Sequence, residues 1–445
     1  MEFLRKIAAP SAVPLISEIP YEPVYDRFSK KVIGEGGVIL DGTSPVVATN
    51  PTFTVSVSND VAQINVGGVK SEVSVTPVEV LTALDVFMSE RKRASSSGRF
   101  EGGLVFMVSY EANRYFERIR NPKLPICPDL WCGYYEETTS FDAENQRAFE
   151  TSWLGSPGSN GDKPKQNMAA ESYRLSKFAC DETKEQYLKK IESIQSLISD
   201  GDVYQANLSR RLAANFKGTP FALYRALAGN GEAGYGAFLN GGPWSLLSRS
   251  PELFFSVRGG RITSSPIKGT SPRTGFNDDF EKQNLLTSEK NKAENLMIVD
   301  LIRNDLGKVC NAGSVTVEKL FQIESLPTLH HLVSTIRGEL KGSAGLREII
   351  SALWPGGSVT GAPKVRAMEI INELETTARG PYCGSLIASG FNGDITASLL
   401  IRTLYINDGL AVYRTGGGIT ADSIPEEEFE ETVLKASVLD KVDGI

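Results

Sequence analysis

Strand-sized runs closed by short glycine turns commit much of this chain to antiparallel pairing. Residues 254–257 and 261–263 flank Gly259-Gly260, 386–389 lead into Asn392-Gly393, and 400–406 and 410–413 flank Asn407-Asp408-Gly409. Glycine and asparagine supply the positive φ that tight hairpins require. Earlier runs at 37–40, 53–57 and 103–108 also read as strands. Helical patterns alternate with them, at 182–200, 290–303, 363–374 and 426–439. In the first of these, Tyr187, Ile191, Ile194 and Ile198 share one face. Asp181 is placed to cap its start, and Gly201 to end it. Hairpins interleaved with helices predict an α+β fold with mostly antiparallel sheets.

Composition narrows the chemistry. The 445 residues are 41% hydrophobic and 23% charged, as in an ordinary soluble globular chain. A net charge of −7 argues against a nucleic-acid or anionic-membrane partner, since both require a basic footprint. The N-terminus leads into no apolar signal run, and no stretch approaches the ~18 apolar residues of a membrane span, so a cytoplasmic location is expected. The stretch 152–171 is rich in Gly, Ser, Pro, Asn and Lys and reads as a linker or long loop. It divides the chain into an N-terminal region at 1–151, a linker at 152–175 and a catalytic region at 176–445.

Only two histidines occur, the adjacent His330 and His331, so a zinc site built on several histidines is excluded. The five cysteines are scattered without metal-ligand spacing, and none lies in a Gly-x-Cys-x-Gly glutaminase elbow. Metal chemistry would therefore rest on carboxylates and a hard cation such as Mg²⁺.

Four segments carry candidate chemistry. Glu294 lies in one predicted helix; Glu428 and Glu431 lie three residues apart on another, with Lys435 one turn beyond. These glutamates fit either a solvated acidic helix start or a Mg²⁺ site. Gly356-Gly357-Ser358-Val359-Thr360-Gly361-Ala362-Pro363-Lys364 reads as a loop entering a helix, with Thr360 placed to cap and free N–H groups able to attract an anion. Thr415-Gly416-Gly417-Gly418-Ile419 either admits a ligand to the backbone or makes a turn. Ser265-Pro266-Ile267-Lys268-Gly269-Thr270 holds a lysine that is either a surface charge or a nucleophile.

Together and in this order, these segments resemble the chorismate-utilising enzymes, which include anthranilate synthase component I, aminodeoxychorismate synthase component I, isochorismate synthase and salicylate synthase. Further matches are Gly201-Asp202-Val203-Tyr204-Gln205, Ser250-Pro251-Glu252, Asp300-Leu301-Ile302-Arg303-Asn304-Asp305, His331-Leu332-Val333-Ser334 and Ile401-Arg402-Thr403. The resemblance is strong over 184–442 and looser before it, through Glu18-Ile19-Pro20-Tyr21 and Val38-Ile39-Leu40-Asp41-Gly42. It implies a large layered α/β/β/α sandwich with outer helices, like that of anthranilate synthase component I. It also implies Mg²⁺ held by Glu294 and Glu431 with Glu428 close by, and substrate carboxylates held by Arg402, Tyr382, Gly418 and Lys435. Gly416, Gly269 and Thr270 join the implied substrate contacts; Ser358 and His331 would line the ring, and Glu252 would be the general acid at the departing 4-hydroxyl.

Two positions select a branch. Water-adding relatives carry a lysine base where this chain has Gln205, and anthranilate synthases usually have alanine where it has Lys268. The Pro-Ile-Lys-Gly-Thr form resembles the aminodeoxychorismate synthases, in which the lysine amine attacks C2 and ammonia then enters at C4. The expected partners are chorismate, ammonia and a separate glutaminase subunit, because no glutaminase segment is visible here. The product would feed 4-aminobenzoate and folate synthesis. Anthranilate synthase component I and a non-catalytic chorismate- or tryptophan-binding relative are the alternatives. Asn291 replaces an acidic residue that some relatives carry one turn before the metal glutamate, and Thr396 replaces another before Ile-Arg-Thr.

Overall fold

The computed structural model describes residues 2–26, 34–42, 44–94, 99–120, 122–154, 172–229, 233–273, 275–325 and 329–442. Most of the predicted linker, 155–171, lies outside them.

Among the described residues, one sheet has 13 strands and the other 12, and every pairing between named strands is antiparallel. The sheets stack face to face with helices on both outer sides, giving the α/β/β/α sandwich. Strand periodicity builds the layers directly. In Gly103–Val108, Val105 and Met107 point into the core between the sheets with Ala237, Leu246, Leu386 and Tyr405. The alternate residues Leu104, Phe106 and Val108 pack outward beneath the helices, with Val80, Leu84, Val299 and Ile350. Each sheet contains strands from both sides of the 155–171 stretch.

All three tight glycine turns close hairpins: Leu253–Arg258 with Arg261–Ser264, Ser385–Gly390 with Ile395–Leu399, and Thr403–Asn407 with Leu410–Ile419. Three local expectations are corrected. The 182–200 helix spans Lys184–Ser199 and is capped by a Thr183–Gln186 capping box, while Asp181 pairs with Arg211 at 2.6 Å. Thr360 does not cap the following helix, Lys364–Leu374; its hydroxyl turns back to the Gly356 carbonyl at 2.9 Å. The 400–406 run is not one strand, because pairing begins only at Thr403.

That last difference positions the site. Ile395–Leu399 belongs to one sheet and Thr403–Asn407 to the other, so the chain changes sheets through Leu400-Ile401-Arg402. A second switch runs beside it, from Trp244–Ser250 through Pro251-Glu252 into Leu253–Arg258. The two crossings are laced together: Leu399 N donates to Glu252 O at 3.1 Å, and Arg249 N donates to Arg402 O at 3.0 Å.

Candidate active site

The sheet junctions hold the first two functional side chains. Glu252 is 7% exposed, and its Oε1 accepts a 3.0 Å hydrogen bond from Ser358 Oγ. Burial pushes its carboxyl above the usual range, against the opposing pull of Lys268, Ser358, Lys435 and Arg402. Glu252 therefore keeps its proton to higher pH than a free glutamate, as an acid catalyst requires. Arg402 sits at φ 51°, a left-handed conformation costing about 1–2 kcal/mol for a side-chain-bearing residue, and is half-buried beside this carboxyl.

Lys268 is raised on a bulge. Ile267 pairs with Val333 and Thr270 with His331, and the register slips between them, leaving Lys268-Gly269 outside the ladder. Gly269 has φ 79°, and a Cβ there would lie 2.9 Å from the Asn291 amide nitrogen, so the turn needs glycine twice over. Asn291 thus backs the lysine loop. Thr396, the other departure, accepts a 2.7 Å hydrogen bond from Arg258. Thr270 Oγ1 lies 2.9 Å from His331 Nδ1, while His331 Nε2 is buried without a partner. Burial, with the nearby Arg402 and His330, draws the imidazole down to about 4, so it is neutral at neutral pH.

The triple glycine lies inside a strand, not in a turn. Leu410–Ile419 pairs with Gln205–Gly218, setting Gly416, Gly417 and Gly418 opposite Ser209, Leu208 and Asn207. The missing side chains admit three different neighbours. A Cβ on Gly416 would lie 2.2 Å from Leu208 O, on Gly417 3.2 Å from Glu428 Oε2, and on Gly418 2.5 Å from Gln205 Nε2. Gln205 is fully buried, and neither of its side-chain polar atoms has a hydrogen-bond partner. Lys435 Nζ donates to Gly416 O at 2.9 Å and pairs with Glu431 at 2.6 Å.

Glu294, on the helix Glu289–Val309, faces the helix Pro425–Ala436 from the other sheet's side. Burial raises its carboxyl; Lys268 and Lys290 oppose the rise, and Glu428 and Glu431 add to it. Ser423 Oγ donates to Glu428 Oε1 at 2.7 Å. Among the described residues, no group of three or more His, Cys, Asp or Glu side chains is arranged to hold a metal ion. The donor set is nevertheless of the hard oxygen type: Glu428 and Glu431 converge over the bare backbone of Gly417, and both repel Glu294.

The structure thus gathers Lys268, Glu252, Arg402 and Lys435 into one electrostatic group with Ser358, and links Lys268 to Glu294 and its partner glutamates. Tyr382 is buried, its ring 5.6 Å from the Arg379 guanidinium. That arginine belongs to a network that sequence reasoning missed. Glu375 accepts from Arg379 at 2.7 Å, Arg414 at 3.0 Å and the Ser209 hydroxyl at 2.7 Å, all buried. Burial pushes Glu375 up, but the two guanidiniums outweigh it and hold the carboxyl below its usual range. Arg379 also donates to Asn207 O and Val359 O, tying the Gln205 strand to the Ser358 loop. From the N-terminal region, Glu111 accepts the backbone N–H groups of Arg379 and Gly380, and burial raises it to about 7. Lys364 is spent on Asp305 at 2.5 Å, fastening the Ser358 loop to the Glu294 helix.

Comparison with known proteins places the chain in a family. The family profile described as chorismate binding enzyme matches residues 46–441. Aminodeoxychorismate synthase component 1 of Escherichia coli is 35% identical over 408 residues, covering 88% of each chain. Anthranilate synthase component 1 of Acetivibrio thermocellus is 32% identical over 433 residues, covering 88% of this chain and 85% of the relative. The crystal structure of anthranilate synthase component I from Streptococcus pneumoniae superposes with a TM-score of 0.76 at 28% identity, covering 94% of this chain and 96% of that one. The chain belongs to the chorismate binding enzyme family.

Proposed function

We propose that this chain is the chorismate-binding subunit of an aminodeoxychorismate synthase, aminating chorismate at C4 to 4-amino-4-deoxychorismate. One observation carries the choice of branch: Lys268, lifted on its bulge, is the strongest opposing charge at both Glu252 and Glu294. A lysine between the acid and the acidic cluster lies in the site rather than at the surface, and its amine would act as the nucleophile once a bound cation offsets the carboxylates around it.

Arg402 and Lys435 would hold the substrate carboxylates, with Gly416 and Gly418 letting the substrate approach the strand, and His331 and Ser358 would line the ring. The Lys268 amine forms a bond to C2, both ring double bonds shift one position round the ring towards C4, and the bond from C4 to its hydroxyl breaks. Glu252 donates its proton to that oxygen, which leaves as water. Ammonia then attacks C4 as the bond from C2 to Lys268 breaks, and the proton shed by the incoming nitrogen restores Glu252. Mg²⁺, held by Glu294 and Glu431 with Glu428 close by, would withdraw charge from the ring carboxylate when bound. Gln205, with its unpartnered amide, would contact the substrate from the floor of the site. Ammonia would come from a separate glutaminase subunit, consistent with the "component 1" in the names of the relatives. Among the described residues no helix is long and apolar enough to cross a membrane; a cytoplasmic location accords with the proposed activity.

The anthranilate synthase relatives support the rival reading, in which the same substrate loses pyruvate and becomes aromatic. Incubation of the purified chain with chorismate, Mg²⁺ and ammonium, with the product identified by mass, separates the two. Aminodeoxychorismate is expected. Anthranilate would establish the rival, and no product would point to a non-catalytic relative.

A further inference from the structure

Lys290 has no part in the chemistry above, yet it lies in the first turn of Glu289–Val309, one turn before Glu294. A cation there opposes the positive end of the helix dipole, so the position costs stability unless something nearby offsets it. The offset comes from across the site. Lys290 Nζ pairs with Glu428 Oε1 at 3.5 Å, joining the helix of one sheet to the helix of the other. The Glu428 side chain is 6% exposed and the Lys290 side chain 49%, so the anion is fixed and the cation can swing into water.

The charge balance explains why such a residue is useful. Glu294, Glu428 and Glu431 repel one another, and Lys290 opposes two of the three. A divalent cation would do the same work with twice the charge, and would repel the ammonium as it arrived. Lys435, bonded to Glu431, completes the pattern: both C-terminal carboxylates are held by lysines.

We propose that Lys290 is a tethered counter-ion that occupies Glu428 in the metal-free enzyme and yields it to the metal, so that the lysine sets how tightly Mg²⁺ binds. The inference rests on the Mg²⁺ reading of the site. Its long stem and exposed head make release cheap; the buried carboxylate makes an empty site costly.

The test is calorimetric titration of Mg²⁺ into the chelator-stripped full chain, with thermal midpoints in chelator and in saturating Mg²⁺. Lys290→Met should bind Mg²⁺ roughly five- to ten-fold more tightly, because a competing cation has been removed. Its midpoint should fall in chelator and recover in Mg²⁺, giving a larger metal-dependent rise than wild type. Lys290→Arg keeps the charge and should bind Mg²⁺ with near wild-type affinity. A wild-type chain that binds Mg²⁺ while Lys290→Met binds it no more tightly would overturn the inference alone. A wild-type chain that binds no Mg²⁺ would remove the metal reading and the inference with it.

Discussion

Ser358 Oγ donates a 3.0 Å hydrogen bond to Glu252 Oε1, so the loop 356–364 and the sheet junction meet on the carboxyl proposed as the acid. The bond favours the charged form, whereas burial favours the protonated one and wins. A group needed in its acid form loses activity as pH rises through its pKa. Ser358→Ala removes a stabiliser of the carboxylate, so that limb of the kcat/KM profile should move to higher pH, with ammonia concentration held constant. Glu252→Gln should abolish turnover, roughly 10²-fold or more, without unfolding the chain. An unmoved profile in Ser358→Ala would place the acid elsewhere.

The glycine strand gives three separable outcomes. Gly416→Ala drives a methyl into the Leu208 carbonyl, 2.2 Å away, and should destabilise the sheet, read as a lower thermal midpoint. Gly417→Ala presses on Glu428 at 3.2 Å and should chiefly weaken the metal response. Gly418→Ala presses on Gln205 at 2.5 Å, a side chain that can shift, and should raise KM for chorismate with a smaller loss of stability. Identical behaviour of all three would mean that the strand serves only packing.

Glu375→Ala should cost about 3–5 kcal/mol of stability, because it strands the buried Arg379 and Arg414 charges. Denaturant unfolding checks this. Since Arg379 also braces Asn207 and Val359, any activity that survives should show altered chorismate KM. Wild-type stability would show that the network contributes nothing net.

These residues also mark where the sequence stops being legible. Hairpins and helices follow local period and turn chemistry, so Gly259-Gly260, Asn392-Gly393 and the Tyr187 face all stand where periodicity puts them. Caps were less readable: Thr183 and Asp181 are two residues apart, and the competing partner Arg211 decided between them. The glycine triplet looks like a turn in isolation; only pairing with Gln205–Gly218 keeps it extended. The break at Arg402 has the same cause, since changing sheets is a tertiary event. Glu111, the i,i+4 pair Glu375–Arg379 and Arg414 lie in three separate segments, and no local pattern joins the three. Family resemblance, not spacing, marks the candidate site: by periodicity alone, three glutamates on two helices read first as a solvated acidic face.

The most direct measurement is mass spectrometry of the protein quenched during reaction with chorismate and Mg²⁺, beside the turnover of Lys268→Ala. An amine nucleophile that displaces the 4-hydroxyl leaves an adduct of chorismate less one water on its own peptide. The adduct is expected on the peptide bearing Lys268, and should diminish when ammonium is added. Lys268→Ala should fold, bind chorismate and lose most amination at ordinary ammonium, with partial return at high ammonium through direct attack by ammonia. No adduct at any time, with Lys268→Ala turning over like wild type, would make the lysine an electrostatic bystander and contradict the proposed amination mechanism.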